Sequence, residues 1–160
     1  MKHVVTLFVL LVGFAFSKTA LAQNEETLVL SSVQQFFDGM AAADSVASRA
    51  LLMEGGQFHS VRQDPDGLFV RRSTFEEYLS DIASNANAFL ERMWDPQVSV
   101  NGRLAVVTTP YDFHINGEFT HCGTDVFNLI KTDTGWRISS VMYTVERTGC
   151  PPSPLGDPKF

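Results

Sequence analysis

The spacing of apolar residues changes along the chain, and each change marks a new element. Beyond residue 22, Leu30, Val33, Phe37 and Met40 recur at intervals of three, four and three. They share one face of a helix expected over residues 26–43, and Phe36 widens that stripe. Asp44 is a good N-cap for a second helix, Ser45 to Leu52, which Gly55-Gly56 would end. Short strands are expected at Gln57–Arg62 and Leu68–Arg72, around the turn sequence Asp64-Pro65-Asp66-Gly67. Ser73-Thr74-Phe75-Glu76 reads as a capping box, Ser73 serving the Glu76 amide. It starts a third helix with Phe75, Tyr78, Leu79 and Ile82 on one face.

From Ala88 onward the period is two. Phe89–Val100, Arg103–His114, Phe119–Lys131 and Trp136–Arg147 are expected as a four-strand antiparallel meander. Asn101-Gly102 and Asn116-Gly117 are type I′ turn signals, and residues 132–135 form the last turn. Pro110 predicts a bulge or an edge position. Helices, a hairpin, another helix and a meander give an α+β layout, with helices across the concave face of a curved sheet and a cavity at its open end.

Tight turns fix register, and register assigns faces. Ile115 and Glu118 flanking one turn set Asp112 opposite His121 and Thr108 opposite Asp125. The turn at 132–135 sets Leu129 opposite Ile138 and Phe127 opposite Ser140. Trp136, Ile138, Phe127 and Leu129 then face the helices, and Asp112, His121 and Asp125 lie on that same side toward the other strand ends. A mostly apolar concave face ending in convergent polar groups is a ligand site. A carboxylate there is partly desolvated, its pKa raised, and it can act as a base near neutral pH. A solvated strand end is the alternative for these residues. His59 either reaches the same cavity or lies exposed on its strand, and Phe37 and Thr108 join Phe127 as candidate ligand contacts. Tyr111 and Tyr143 fall on the convex face by parity. Arg71-Arg72 reads as a solvated strand end, with anion binding as the alternative.

Composition excludes classes without naming a function. A chain of 160 residues is one domain, and 44% hydrophobic against 19% charged residues is too apolar for intrinsic disorder. A net charge of −6 argues against nucleic acid and against a polybasic membrane surface as partners. Residues 1–22 carry Lys2, an apolar run from Val4 to Phe16 and an Ala20-x-Ala22 site, the pattern of a bacterial signal peptide. Cleavage would export residues 23–150 as a domain to the periplasm or medium, with a Pro-rich, loosely ordered tail at 151–160. The apolar run is shorter than the roughly 20 residues of a membrane span, and no second run exists, so no stable span is expected. Export makes a Cys122–Cys150 disulfide chemically allowed. Register sets Cys122 opposite Val145, and Cys150 must fold back past the strand end to reach it, so paired and unpaired states stay open. Nucleotide, P-loop, zinc-protease and nucleophile-elbow motifs are absent, and no cofactor is expected. His114, His121, Asp112 and Asp125 lack diagnostic metal spacing, and no metal is expected.

Several stretches resemble the nuclear transport factor 2-like superfamily: Val33 to Met40 (Val-Gln-Gln-Phe-Phe-Asp-Gly-Met), Trp94-Asp95-Pro96, Pro110-Tyr111, Gly117 through His121-Cys122-Gly123 to Phe127, Gly135-Trp136-Arg137-Ile138 and the late Cys150. The similarity is closest to the bacterial putative lumazine-binding family, relatives of polyketide cyclases and ketosteroid isomerases. The resemblance implies a cone-shaped α+β fold, a bent antiparallel sheet around N-terminal helices with an internal pocket, and often a homodimer formed through the sheet. In the enzymatic relatives a late strand carries an acid inside the cone, and Asp125 is its nearest counterpart. Three functions follow as expectations. The first is an exported protein that binds a small apolar or aromatic molecule. The second is an isomerase, cyclase or dehydratase with Asp125 as general base, His121 as its partner and Asp112 tuning both. The third is an association module whose cone is filled by side chains. A cavity closed by Phe36, Phe37, Trp136 and Phe127 would favour the third, and an open one with Asp125 at its floor the second.

Overall fold

The computed structural model describes residues 23–158. The signal peptide expected at 1–22 lies outside the described residues. Helix α1 occupies residues 23–41 and buries Val29, Val33, Phe36, Phe37 and Met40. Leu30 sits at the margin of that stripe and is only partly buried. Helix α2 (Ser45–Leu51) starts at Asp44, whose carboxylate accepts from the amides of Val46 and Ala47. Then follow β1 (Leu52–Asp64), β2 (Gly67–Thr74), α3 (Phe75–Ser84), β3 (Phe89–Met93), β4 (Gln97–Asn101), β5 (Leu104–Ile115), β6 (Glu118–Thr132) and β7 (Gly135–Thr144).

The strands form one bent sheet in the order β2-β1-β7-β6-β5-β3, with β4 continuing beside β5. The pairing of β1 with β7 is parallel and every other pairing antiparallel, so the sheet is mixed. Its concave face packs on α1. The Phe127 ring stands edge-on to Phe36 and Phe37, 5.9 and 5.6 Å away, and Leu129, Trp136 and Ile138 complete that end of the core. Glu25 ties α1 to the sheet by accepting from Trp136 Nε1 at 3.1 Å and pairing with Lys131 at 2.6 Å. This is the expected α+β cone.

Four local differences move side chains. The chain enters β1 directly at Leu52, and the Gly55 region is a register shift within that strand instead of a helix end. The capping box lies one residue later than expected. Thr74 accepts from the Glu77 amide at 3.1 Å, and Glu77 accepts from the Thr74 amide at 2.7 Å. The sequence fits the box in both frames, and pairing of Ser73 with Phe58 keeps Ser73 in β2. Glu76 is released to pair with Arg49.

The expected strand Phe89–Val100 breaks at Trp94–Pro96, where Asp95 adopts φ +46°. The bulge attributed to Pro110 therefore sits in the neighbouring strands. Pro110 O accepts from the Trp94 amide at 3.4 Å. A strand residue points its nitrogen and carbonyl to the same side, so the donorless proline nitrogen faces the break.

The fourth difference decides the site. Ile115 pairs with Glu118 as expected, but Thr120 is an extra residue in β6, so Phe113 pairs with His121 and Thr109 with Asp125. A one-residue slip turns over a whole face. Asp112 and Thr108, expected on the cavity side, lie on the outer face, and Tyr111 and Phe113 point inward. A second shift, between Asn128 and Leu129, pairs Phe127 with Val141 instead of Ser140 and brings Tyr143 inward. On the outer face Cys122 is joined to Cys150, and Gly156 O accepts from Arg92 Nη1 at 2.8 Å. The segment expected to be a loose tail is thus tied down across β6, β5 and β3.

Candidate functional site

A cavity of about 470 Å³ lies between the concave face of the sheet and helices α1 and α3. Aromatic rings make much of its wall. Phe36 from α1, Phe58 from β1 and Tyr78 from α3 pack within 5.1–6.1 Å of one another at one end. Phe89 and Phe113, 5.6 Å apart, line the side formed by β3 and β5. Arg71, Asp81 and Asn85 stand at its polar rim.

Two acids line the interior. Asp125 on β6 is 2% exposed, and Glu91 on β3 is hydrogen-bonded to it. Two carboxylates cannot meet without a proton between them. Burial pushes Glu91 up to about 7, its bond to Asp125 holding it back. Burial and then the adjacent Glu91 push Asp125 well above the carboxylate range. The two form an acid pair that retains a shared proton at neutral pH. Asp125 Oδ2 is buried and meets no N–H or O–H donor among the described residues.

Tyr111 crosses the cavity wall above Gly123, its partner in β6, and its hydroxyl donates to Thr144 O at 2.7 Å. A Cβ at Gly123 would run into the Thr144 carbonyl and the Tyr111 ring, so the glycine makes room for the tyrosine. Replacing Gly123 with Val is expected to displace Tyr111 and cost about 2 kcal/mol in urea unfolding, and an unchanged midpoint would refute this packing. Burial raises the pKa of both Tyr111 and Tyr143, keeping them as neutral hydroxyls in the wall. His121 lies edge-on to Tyr111 and 5.0 Å from Phe113, with Nδ1 2.8 Å from Thr120 Oγ1. Burial, helped by Arg147, lowers its pKa to about 4, so it is a neutral imidazole at pH 7.

Asp125, His121 and Phe127, expected at the cavity, line it. Phe37 is buried behind Phe127 in the core. His59, Thr108 and Asp112 are not brought to the cavity. His59 alternates with the lining residues Phe58 and Ser60, and Asp112 and Thr108 are turned outward by the Thr120 bulge. Arg92 holds Asp112 there through two contacts, at 2.9 and 2.6 Å, and His114 lies 3.4 Å away. Burial pushes Asp112 up, but the guanidinium outweighs it and keeps the pKa below the usual value. Sequence reasoning missed Glu91 and misplaced Tyr111 and Tyr143. Alternation in Phe89-Leu90-Glu91-Arg92-Met93 carried the Glu91 signal, an acid at the same parity as two apolar residues.

The model of a family described as putative lumazine-binding matches residues 24–144. Among solved structures, the chain is similar to a putative dehydratase of the nuclear transport factor 2-like family from Streptomyces avermitilis, with 20% identity, TM-score 0.62, and coverage of 78% of this chain and 97% of that one. It is also similar to a nuclear transport factor 2-like protein with a cystatin-like fold from Novosphingobium aromaticivorans, with 12% identity, TM-score 0.66, and coverage of 84% and 90%. A superfamily member from Salmonella enterica serovar Typhimurium gives 16% identity, TM-score 0.61, and coverage of 86% and 99%. At these identities the structures establish the fold alone. No curated protein matches the sequence.

Proposed function

The chain belongs to the putative lumazine-binding family of the nuclear transport factor 2-like superfamily, and from that premise we propose that it is an exported protein that binds a small apolar or aromatic molecule inside the cone. The observation that carries this reading is the open cavity of about 470 Å³, with aromatic rings in its walls and a few polar groups, the acid pair and His121 among them, set between those rings. Its volume falls in the range of small-molecule sites, and such sites combine apolar walls with a few placed polar groups. The open cavity argues against a cone filled by side chains. Export to an oxidising compartment is part of the proposal, and the Cys122–Cys150 disulfide supports it. So is a homodimer through the outer sheet face, where Val106 and Met142 remain 39% and 45% exposed.

Native mass spectrometry of the protein, exported by its own leader and purified without reductant, tests all three parts. The expected spectrum is a dimer carrying a small molecule, at the mass of the oxidised chain beginning at Gln23. A protein that retains no molecule and gains no thermal stability from any aromatic or apolar compound would overturn the binding reading.

A second reading, proton transfer by an isomerase, cyclase or dehydratase, is favoured by the Glu91–Asp125 pair. A carboxyl held near neutral pKa in an apolar site can take and return a proton. Glu91, which titrates near 7, is then the base and Asp125, which holds the shared proton, its partner, since His121 is a weak base and Asp112 faces outward. Glu91→Gln is expected to abolish turnover of enolisable ketones while the protein stays folded, and undiminished turnover would exclude Glu91 as the base.

A further inference from the structure

The polar interior of the cavity is unbalanced in charge. Glu91 and Asp125 are both acids, and no cation is paired with either among the described residues. Arg92, next to Glu91 in the chain, points to the opposite face and is held by Asp112 and Gly156. Arg71 stands at the exposed rim, and His121 is neutral. Buried acids ordinarily have a positive or hydrogen-bond-donating partner. Here they share a proton instead, and Asp125 Oδ2 is buried with no fixed donor.

The walls point the same way. Tyr111 and Tyr143 stand edge to face at 6.5 Å in the wall that holds the pair, and Phe113, the cross-strand partner of Glu91, and Phe89 line the same cavity. Aromatic faces carry negative potential and attract cations. Two carboxyls backed by rings do not supply the six to eight oxygens that calcium takes, and no group of three metal-binding side chains occurs among the described residues. The geometry therefore selects an organic cation.

We propose that the cavity binds an aromatic or apolar amine in its protonated form, with the ammonium N–H groups donating to Glu91 and Asp125 and the charge walled by Tyr111 and Tyr143. The inference rests on the ligand-binding reading and adds the charge of the ligand to it. It separates the site from one built for a neutral carbonyl, which would accept the shared proton, and from one built for a carboxylate, which the acids would repel. Ammonium binding requires an ionised member of the pair, so affinity rises as pH rises through the titration of Glu91 near 7. The other ionisable groups lining the cavity are Tyr111, His121 and Tyr143 on the sheet, Tyr78 and Asp81 on α3, and Arg71 on β2, and the Asp112 carboxylate on β5, paired with Arg92 on the outer face, also acts on Glu91 and stays ionised through this range. His121 titrates lower and the tyrosines higher, so neither sets this profile.

Calorimetric titration of the disulfide-bonded protein with three probes sharing one ring system provides the test. These are 2-naphthylmethylamine as the cation, 2-naphthalenemethanol as the neutral analogue and 2-naphthoate as the anion. The amine is expected to bind about tenfold or more tightly than the alcohol, and naphthoate more weakly than either. Between about pH 6 and 8 the amine's affinity should rise several-fold while the alcohol's stays level. Glu91→Gln, which removes the member that ionises near 7, should remove most of the amine's advantage, and Asp125→Asn, which removes one of its two acceptors, only part of it. Both should leave the alcohol within about threefold. The Glu91 variant and the wild-type pH profile each keep the test decisive if the Asp125 variant folds poorly. An alcohol that binds as tightly as the amine, or a level pH profile for the amine, overturns the cation proposal and leaves the ligand-binding reading standing. Failure of all three probes overturns both.

Discussion

Asp125→Asn is expected to yield a protein that is more stable than the wild type and impaired at its cavity. The reasoning follows from which state of the acid pair the fold prefers. Glu91 and Asp125 both have folded pKa values above their unfolded ones. The native state therefore binds more protons than the unfolded chain, and stability falls as pH rises from the unfolded carboxyl values toward the folded ones. For Glu91 that window runs from 4.5 to about 7. Asparagine has nearly the shape of a protonated aspartic acid and can donate to Glu91 as that acid does, but it never ionises. The gain should be absent near pH 3, where both acids are largely protonated in either state, and should reach on the order of 2 kcal/mol by pH 8. Urea unfolding of both proteins across that range is the measurement. A variant that is less stable than the wild type at pH 8 would falsify the shared-proton description, since it would mean that an Asp125 carboxylate stabilises the fold. Reduced function with increased stability is the usual mark of a strained functional group.

The parts of this site that were legible in the sequence were those that depend on one element at a time. Parity within β6 alone puts His121, Asp125, Phe127 and Leu129 on one face, and the structure agrees because no extra residue falls between them. The α1 stripe and the turns after Asn101 and Asn116 depend equally on local chemistry. Transfer of faces from β6 to β5 failed, because it required the ladder to be regular across Thr120. That bulge is held by a tertiary contact, the Thr120 hydroxyl donating to Phe113 O at 3.0 Å. One hydroxyl thus inverts the placement of Asp112, Thr108 and Tyr111. Glu91 is legible in principle, but the alternating pattern runs on through Trp94–Pro96, and no turn fixes its parity against β6.

Loss of the disulfide is expected to have the larger effect on stability, and it should reach the cavity from the outer face. Cys122 and Cys150 are separated by 28 residues, and closing a loop of that length in the unfolded chain is worth about 3 kcal/mol. Cys150→Ser should lower the unfolding free energy by about that amount, as should reduction of the native protein. The bridge also holds residues 150–156 over the outer face, where Ser153 bonds to Asp112 and Gly156 O accepts from Arg92. Arg92 and Glu91 are neighbours on β3, one facing each side of a strand that, among the described residues, pairs with β5 alone. Freeing the strap removes one of the two partners of Arg92 and lets water reach its ion pair with Asp112, so the hold on β3 loosens. Hydrogen exchange should accordingly speed up in β3 more than in β6, whose two neighbours remain. Truncation after Cys150 separates the two effects. It keeps the loop closed but removes Ser153 and Gly156, so it should cost only about 1 kcal/mol while still accelerating exchange in β3. Equal losses from truncation and from Cys150→Ser would assign the stability to the strap contacts, and unchanged exchange in β3 would show that the outer clasp does not position Glu91.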